Sequence, residues 1–201
     1  MVDNKVRKIS WKASVSVFLL TVMLFFANMA IAGDTGEQID GNGVFPAFGD
    51  GPVEVRLYAN YFCGPCRALE PEVEPVLHEL IEKGKIRLIL VDVPMFQAMP
   101  YIHNFLYALN AEPSIENAFK VRNVLFDVAS RGGGPEGIAE SFEKEGIATD
   151  PFDLTEVFTR FNTMLKEDEV RSTPSAAIHS NGSVEMHSGR NNILAALGKI
   201  E

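Results

Sequence analysis

The two cysteines of this 201-residue chain lie three apart, at Cys63 and Cys66, and their setting constrains the fold more than any other feature. Ahead of them Val53, Val55 and Leu57 alternate with Glu54, Arg56 and Tyr58, the period of a strand that shows one face to a core. Behind them Leu69, Val73, Val76, Leu77, Leu80 and Ile81 fall on one helical stripe, which Gly84 ends. Ile86 to Val91 follows as an apolar run interrupted only by Arg87, fitting a strand buried on both faces. Strand, cysteine turn, helix and strand make a β-α-β unit with both sulfurs at the first turn of its helix.

Beyond Pro94 the pattern changes to long helical periodicities: Phe105, Leu106, Leu109; then Val121, Val124, Leu125, Val128; then Leu154, Val157, Phe158, Phe161. Pro113, Gly132 to Gly134, and Asp150 with Pro151 break them, which predicts about four helices up to Asp168. The glycine run has no preceding strand and no following Lys-Ser/Thr, so it reads as a linker and not a phosphate loop. Ala176 to His179 and Ser183 to His187 flank Asn181-Gly182, a dipeptide that tolerates positive φ and predicts a tight hairpin. A last amphipathic helix carries Ile193, Leu194, Leu197 and Ile200, while residues 33–52, rich in Gly and Asp, read as a loosely ordered lead-in anchored by Phe45 and Phe48.

At the N-terminus, Lys5, Arg7, Lys8 and Lys12 precede a nearly uncharged run from Ala13 to Ala32, and Ala30 and Ala32 supply an A-x-A site. This predicts a signal peptide over 1–32, cleaved after Ala32, with an uncleaved anchor as the alternative. Either way the folded part lies outside the cytoplasm, in a compartment that permits disulfides. Membrane contact is then expected only if the segment stays attached. The formal charge of −9 leaves no clustered basic surface for nucleic acid. Without 1–32 the balance is 14 Lys plus Arg against 26 Asp plus Glu, or −12.

At the start of a helix the backbone N–H groups and dipole stabilise a thiolate, so Cys63 is the expected nucleophile and Cys66, one turn on, the expected resolving thiol. Gly64 and Pro65 form the turn between them. A zinc half-site would need two further ligands from His78, His103, His179 and His187, none spaced as a pair. A purely structural disulfide would close so small a loop that it removes little unfolded-chain entropy. No metal and no cofactor are expected.

Tyr61-Phe62-Cys63-Gly64-Pro65-Cys66-Arg67, with Pro71 five beyond the second cysteine, resembles the active-site turn of the thioredoxin superfamily, and Val170 to Pro174 resembles its second signature. The resemblance implies an α/β thioredoxin fold in which Thr173-Pro174 is a cis step facing the cysteines and forming the substrate-binding wall. More than a hundred residues separate the two signatures, a layout similar to the DsbA-like branch. It implies a first thioredoxin half over 53–96, a helical insertion between the βαβ and ββα halves over 97–168, and a second half over 169–201.

The sequence departs from the family pattern in three respects. Gly-Pro stands between the cysteines in place of the Pro-His of strongly oxidising DsbA proteins; Leu57 occupies the strand position where a buried carboxylate often assists proton transfer; and Phe62 replaces a tryptophan. Phe62 is assigned to substrate contact, and Met95, Phe96 and Met99 to a peptide groove or a domain seam. The expected activity is dithiol-disulfide exchange on cysteine-containing proteins in the periplasm, with a membrane redox partner. The alternatives are a thioredoxin-like reductase in cytochrome maturation or disulfide repair, and a peptide-binding module whose cysteines only stabilise it.

Overall fold

The computed structural model of the chain describes residues 35–39 and 43–200; the expected export segment, 1–32, lies outside the described residues. The central sheet has five strands, in the spatial order β3 (Ala47–Phe48), β5 (Ile86–Asp92), β4 (Val53–Ala59), β6 (Ser175–Ser180) and β7 (Ser183–Ser188). Its middle strand, β4 (Val53–Ala59), lies parallel to β5 (Ile86–Asp92), with Val53 beside Ile86 and Ala59 beside Asp92. Helix α1 (Gly64–Glu82) connects them and carries the predicted stripe inward, with Leu69, Val73, Leu77, Leu80 and Ile81 buried. Pro71 and Pro75 lie inside this helix, and each deletes one backbone hydrogen bond of the helical ladder.

Between β5 and β6 stand four helices, the insertion that distinguishes this layout from a bare thioredoxin fold: α2 (Met99–Ala111), α3 (Ile115–Ser130), α4 (Pro135–Glu145) and α5 (Thr155–Glu167). Their inward stripes, among them Phe105, Leu109, Phe119, Leu125 and Phe161, join one continuous core with the sheet. The chain then returns as β6 (Ser175–Ser180) and β7 (Ser183–Ser188), and closes with α6 (Arg190–Leu197). Asn181 (φ 51°) and Gly182 (φ 77°) make the expected two-residue turn, in which both central positions need positive φ.

The segment before β4 is more ordered than its composition predicts. β1 (Glu37–Ile39) and β2 (Gly43–Phe45) form an antiparallel ribbon, and β3 (Ala47–Phe48) joins the central sheet beside β5. The cause is burial. Phe45 and Phe48 are both fully enclosed, and such a side chain contributes about 1.5–3 kcal/mol, enough to pin strands of two or three residues. Gly51 is required where this segment crosses the start of β5, because a Cβ there would run into the backbone of Lys85 and Ile86.

Glu54 and Arg56 project from β4 away from α1 and are paired, as the strand alternation predicts. Arg56 Nε donates to Glu54 at 2.7 Å and its Nη1 reaches Glu167 at 3.0 Å and Asp168 at 3.4 Å. Asp168 also accepts from Tyr58 and lies 3.1 Å from His179 Nε2, so one buried carboxylate fastens the end of α5 to two strands. Burial pushes the Tyr58 hydroxyl well above its ordinary pKa, and Asp168 adds to the effect. Burial works against the charge of Arg56, but Glu54, Asp168 and Glu167 outweigh it and hold the guanidinium firmly protonated.

Candidate active site

The cysteines sit at the carboxyl end of β4, where the strand hands over to α1. Cys63 is the N-cap of that helix, in extended conformation, and the backbone N–H of Cys66 donates to Cys63 Sγ at 3.1 Å. The two sulfurs are joined as a disulfide. Asn60 shapes the approach: its side-chain oxygen accepts from the N–H of Phe62 at 2.9 Å and its backbone oxygen from that of Cys63 at 3.0 Å. Cys66 is 1% exposed whereas Cys63 is half-buried and flanked by exposed Gly64 and Pro65, so one sulfur alone faces an incoming reactant.

Thr173-Pro174 is a cis peptide bond. The antiparallel register that sets Tyr58 beside Ser175 brings the residues just before β6 to the end of β4, beside the cysteine turn. The carbonyl oxygen of Thr173 lies 3.4 Å from Cys63 Sγ, close enough to accept a hydrogen bond from that sulfur in its thiol form. Two opposing influences therefore meet at Cys63: the Cys66 N–H and the helix terminus favour a thiolate, and the Thr173 carbonyl favours the protonated thiol.

Apolar surface surrounds this point. Phe62 is 42% exposed and packs edge-on against Tyr101 with ring centroids 5.2 Å apart. The turn after β5 lies alongside, because Asn60 Nδ2 donates to the Val93 carbonyl and the Val93 N–H to that of Ala59. That turn displays Met95 at 49% and Phe96 at 97% exposure, while Met99 is partly buried against the core. An exposed phenylalanine beside a reactive sulfur suits an apolar partner surface better than it suits water.

Beneath the turn is a buried charge cluster that no local sequence pattern marks. Arg122 of α3, wholly enclosed, donates through Nε to Glu70 of α1 and through Nη1 to Asp92 at the end of β5, the latter at 2.6 Å. Tyr61 donates its hydroxyl to the other oxygen of Asp92 at 2.8 Å. The guanidinium is walled by the rings of Tyr61, Phe105 and Phe126, 5.6–6.0 Å from their centroids. One cation thus faces two carboxylates. Burial pushes the Glu70 carboxyl up, and Asp92 pushes the same way against the pull of Arg122. The available signal was faint: Glu70 neighbours Leu69 on the apolar stripe, Asp92 ends an apolar run, and Arg122 follows Val121. Charged residues in such places are usually read as a helix's solvated margin.

The histidines face groups other than the sulfurs. His78 lies 3.9 Å from Glu116, His103 packs on Tyr107 and Phe158, and His179 and His187 face Asp168 and Glu185.

A parallel β-α-β unit, an antiparallel hairpin returning beside it, a cysteine pair at the helix start and a cis-proline facing that pair define a dithiol-disulfide site of the thioredoxin type. The model of the family described as thioredoxin matches residues 49–188, and the chain belongs to that family. It is a thiol-disulfide oxidoreductase. DsbA from Chlamydia trachomatis is similar in fold, with a TM-score of 0.59 at 20% identity over 77% of this chain and 89% of that one. A periplasmic thioredoxin-like protein from Salmonella enterica serovar Typhimurium superposes with a TM-score of 0.57 at 17% identity, covering 77% and 88% of the two chains. DsbA2 from Pseudomonas aeruginosa gives 0.53 at 14% identity, covering 82% and 97%. None of the curated proteins matches the chain.

Proposed function

We propose that the protein is an exported, DsbA-like oxidoreductase that passes its disulfide to cysteines of other proteins, with Cys63 as the reacting sulfur and Cys66 as its buried partner. The observation that carries this reading is the asymmetry of the pair: Cys63 is half-buried at a helix N-cap while Cys66 is 1% exposed. A substrate thiolate attacks Cys63 Sγ, the Cys63–Cys66 bond breaks, and Cys66 leaves as a thiolate. A second substrate thiolate then attacks the substrate sulfur of the mixed disulfide and releases Cys63. The substrate is oxidised by two electrons and the enzyme is left as a dithiol, to be reoxidised by a membrane redox partner. In this reading the Thr173-Pro174 step and Phe62 hold the substrate chain. The apolar run at 13–32 supports export to the periplasm, and the periplasmic Salmonella protein is consistent with it.

One feature favours the opposite direction. The Gly-Pro dipeptide places no imidazole beside Cys63, which removes a stabiliser of its thiolate and with it a source of oxidising power. Run in reverse, Cys63 attacks a substrate disulfide and Cys66 resolves the adduct, as in a reductase serving cytochrome maturation or disulfide repair.

The experiment is a Cys66→Ser variant, which should accumulate mixed disulfides between Cys63 and native partners, sensitive to reductant and absent in Cys63→Ser. Full exchange activity in Cys63→Ser would overturn the mechanism, and unchanged biological complementation with both cysteines replaced would favour a non-catalytic binding module.

A further inference from the structure

The outer edge of β7 has no partner strand among the described residues, and of the devices that usually keep such an edge single it carries one charge, Glu185, and lacks the stronger ones. It contains no Lys and no Pro, and it pairs with β6 residue for residue from Ser180–Ser183 to Ser175–Ser188, without a bulge. The two-residue turn fixes which backbone groups are free. Ser183, Glu185 and His187 form the hydrogen-bonded pairs with β6, so the N–H and C=O groups of Val184, Met186 and Ser188 point outward, the Ser188 C=O alone already accepting from Asn192 Nδ2 at 2.9 Å. Val184 and Met186 are also among the exposed large apolar side chains, at 51% and 40%. On the opposite face His187 Nε2 is buried from solvent yet makes no hydrogen bond, although Glu185 Oε2 of the same strand lies 3.5 Å away.

We propose that β7 is a self-pairing edge, at which two copies of this chain join antiparallel about a two-fold axis through Met186 and merge their five-stranded sheets into one of ten. This register is selected by chemistry. Met186 then faces its own copy as a hydrogen-bonded pair and Val184 faces Ser188 of the other chain, so the outward N–H and C=O groups of Val184 and Met186 find partners, with the Ser188 C=O taking the Val184 N–H as a second donor beside Asn192. Glu185 of each chain stands opposite His187 of the other in the non-hydrogen-bonded spacing, where side chains are closest, so a carboxylate faces an imidazole at both crossings of the seam. Shifting the axis by one residue toward Glu185 sets Glu185 against Glu185, like charges directly opposed, and shifting it the other way sets His187 against His187 and leaves Glu185 without the imidazole. Val184 and Met186 of both chains cover one another on the far face.

One strand on each side makes a small interface, below the roughly 1,200 Å² of stable complexes, so the dimer is a weak one in exchange with monomer. Sedimentation equilibrium of the purified protein over a concentration series should show a reversible shift from monomer to twice that mass, with a micromolar dissociation constant. Met186→Pro removes an outward N–H that β6 does not use, and Met186→Lys adds a charge to the edge. Each should weaken association at least tenfold while exchange activity and the circular dichroism spectrum stay as in the parent. Register is tested with Cys63→Ser and Cys66→Ser in the background: mild oxidation should link Met186→Cys to itself, since hydrogen-bonded partners stand about 5.5 Å apart at Cα. It should not link Glu185→Cys, whose copies sit diagonally about 7–8 Å apart. A monomer at every concentration, or a dimer that withstands both Met186→Pro and Met186→Lys, would overturn the proposal.

Discussion

Replacing Arg122 by Met tests whether the buried cluster beneath the cysteine turn has the energetic character its geometry implies. Arg122 is fully enclosed, and its removal strands Glu70 and Asp92, both 1% exposed, with no cation between them. Breaking a buried pair by deleting one partner costs about 3–5 kcal/mol, most of it the desolvation of the charge left behind. For a chain of this size that corresponds to a fall of about 6–20 °C in Tm. With a urea slope near 2 kcal/mol per molar, the midpoint drops by about 1.5–2.5 M. The assay is urea unfolding of the disulfide form, followed by fluorescence and circular dichroism together. The triple variant Arg122→Met, Glu70→Gln, Asp92→Asn removes all three charges, and should recover more than half of the loss. If Arg122→Met costs under about 1 kcal/mol, or the triple variant is no better than the single, the carboxylates are not stranded and the reasoning fails.

Three further outcomes follow from the same geometry. The reduction potential of the Cys63–Cys66 couple, measured by equilibration with thiol buffers, should lie nearer the about −120 mV of DsbA than the about −270 mV of thioredoxin; a value at the latter end would reverse the proposed direction of electron flow. Phe96→Ser should leave stability within about 0.5 kcal/mol, because the ring is 97% exposed. It should still raise KM for a protein substrate while leaving a small disulfide's kinetics unchanged, and equal effects on both substrates would remove Phe96 from the docking surface. Burial tends to raise the Glu37 carboxyl, but Arg160 and Arg87 more than offset it and hold the group below its usual range. A depressed folded pKa gives stabilisation that is complete above the unfolded value of about 4.3 and lost as pH falls through the folded one. Glu37→Gln should therefore be less stable than the parent near neutrality and equal to it at low pH, and a gap that persists in acid would refute the assignment.

The parts of this fold that could be read from the sequence are those where one physical pattern acts alone. Alternation in β4, the stripe of α1 and the Asn181-Gly182 turn each declare their geometry locally, and the cysteine spacing declares the chemistry. The cis state of Thr173-Pro174 is legible only through family resemblance, since a Thr-Pro step in isolation is an ordinary turn. β1, β2 and β3 escaped because strands of two or three residues have no period to detect, and it is Phe45 and Phe48 in a distant core that make them form. Glu70, Asp92 and Arg122 escaped for a related reason. Each looks like a surface charge until positions 52 residues apart are brought together, and nothing local announces that pairing.

The same cluster sets the terms on which this molecule can vary by descent. Arg122 belongs to the inserted helices, and its partners to the β-α-β unit that bears the cysteines, so neither half is self-sufficient in charge. Cutting the chain back to a minimal thioredoxin would leave the catalytic unit holding two carboxylates it was never built to hydrate. A change of charge at Glu70 or Asp92 therefore calls for a matching change at Arg122, on a different part of the chain.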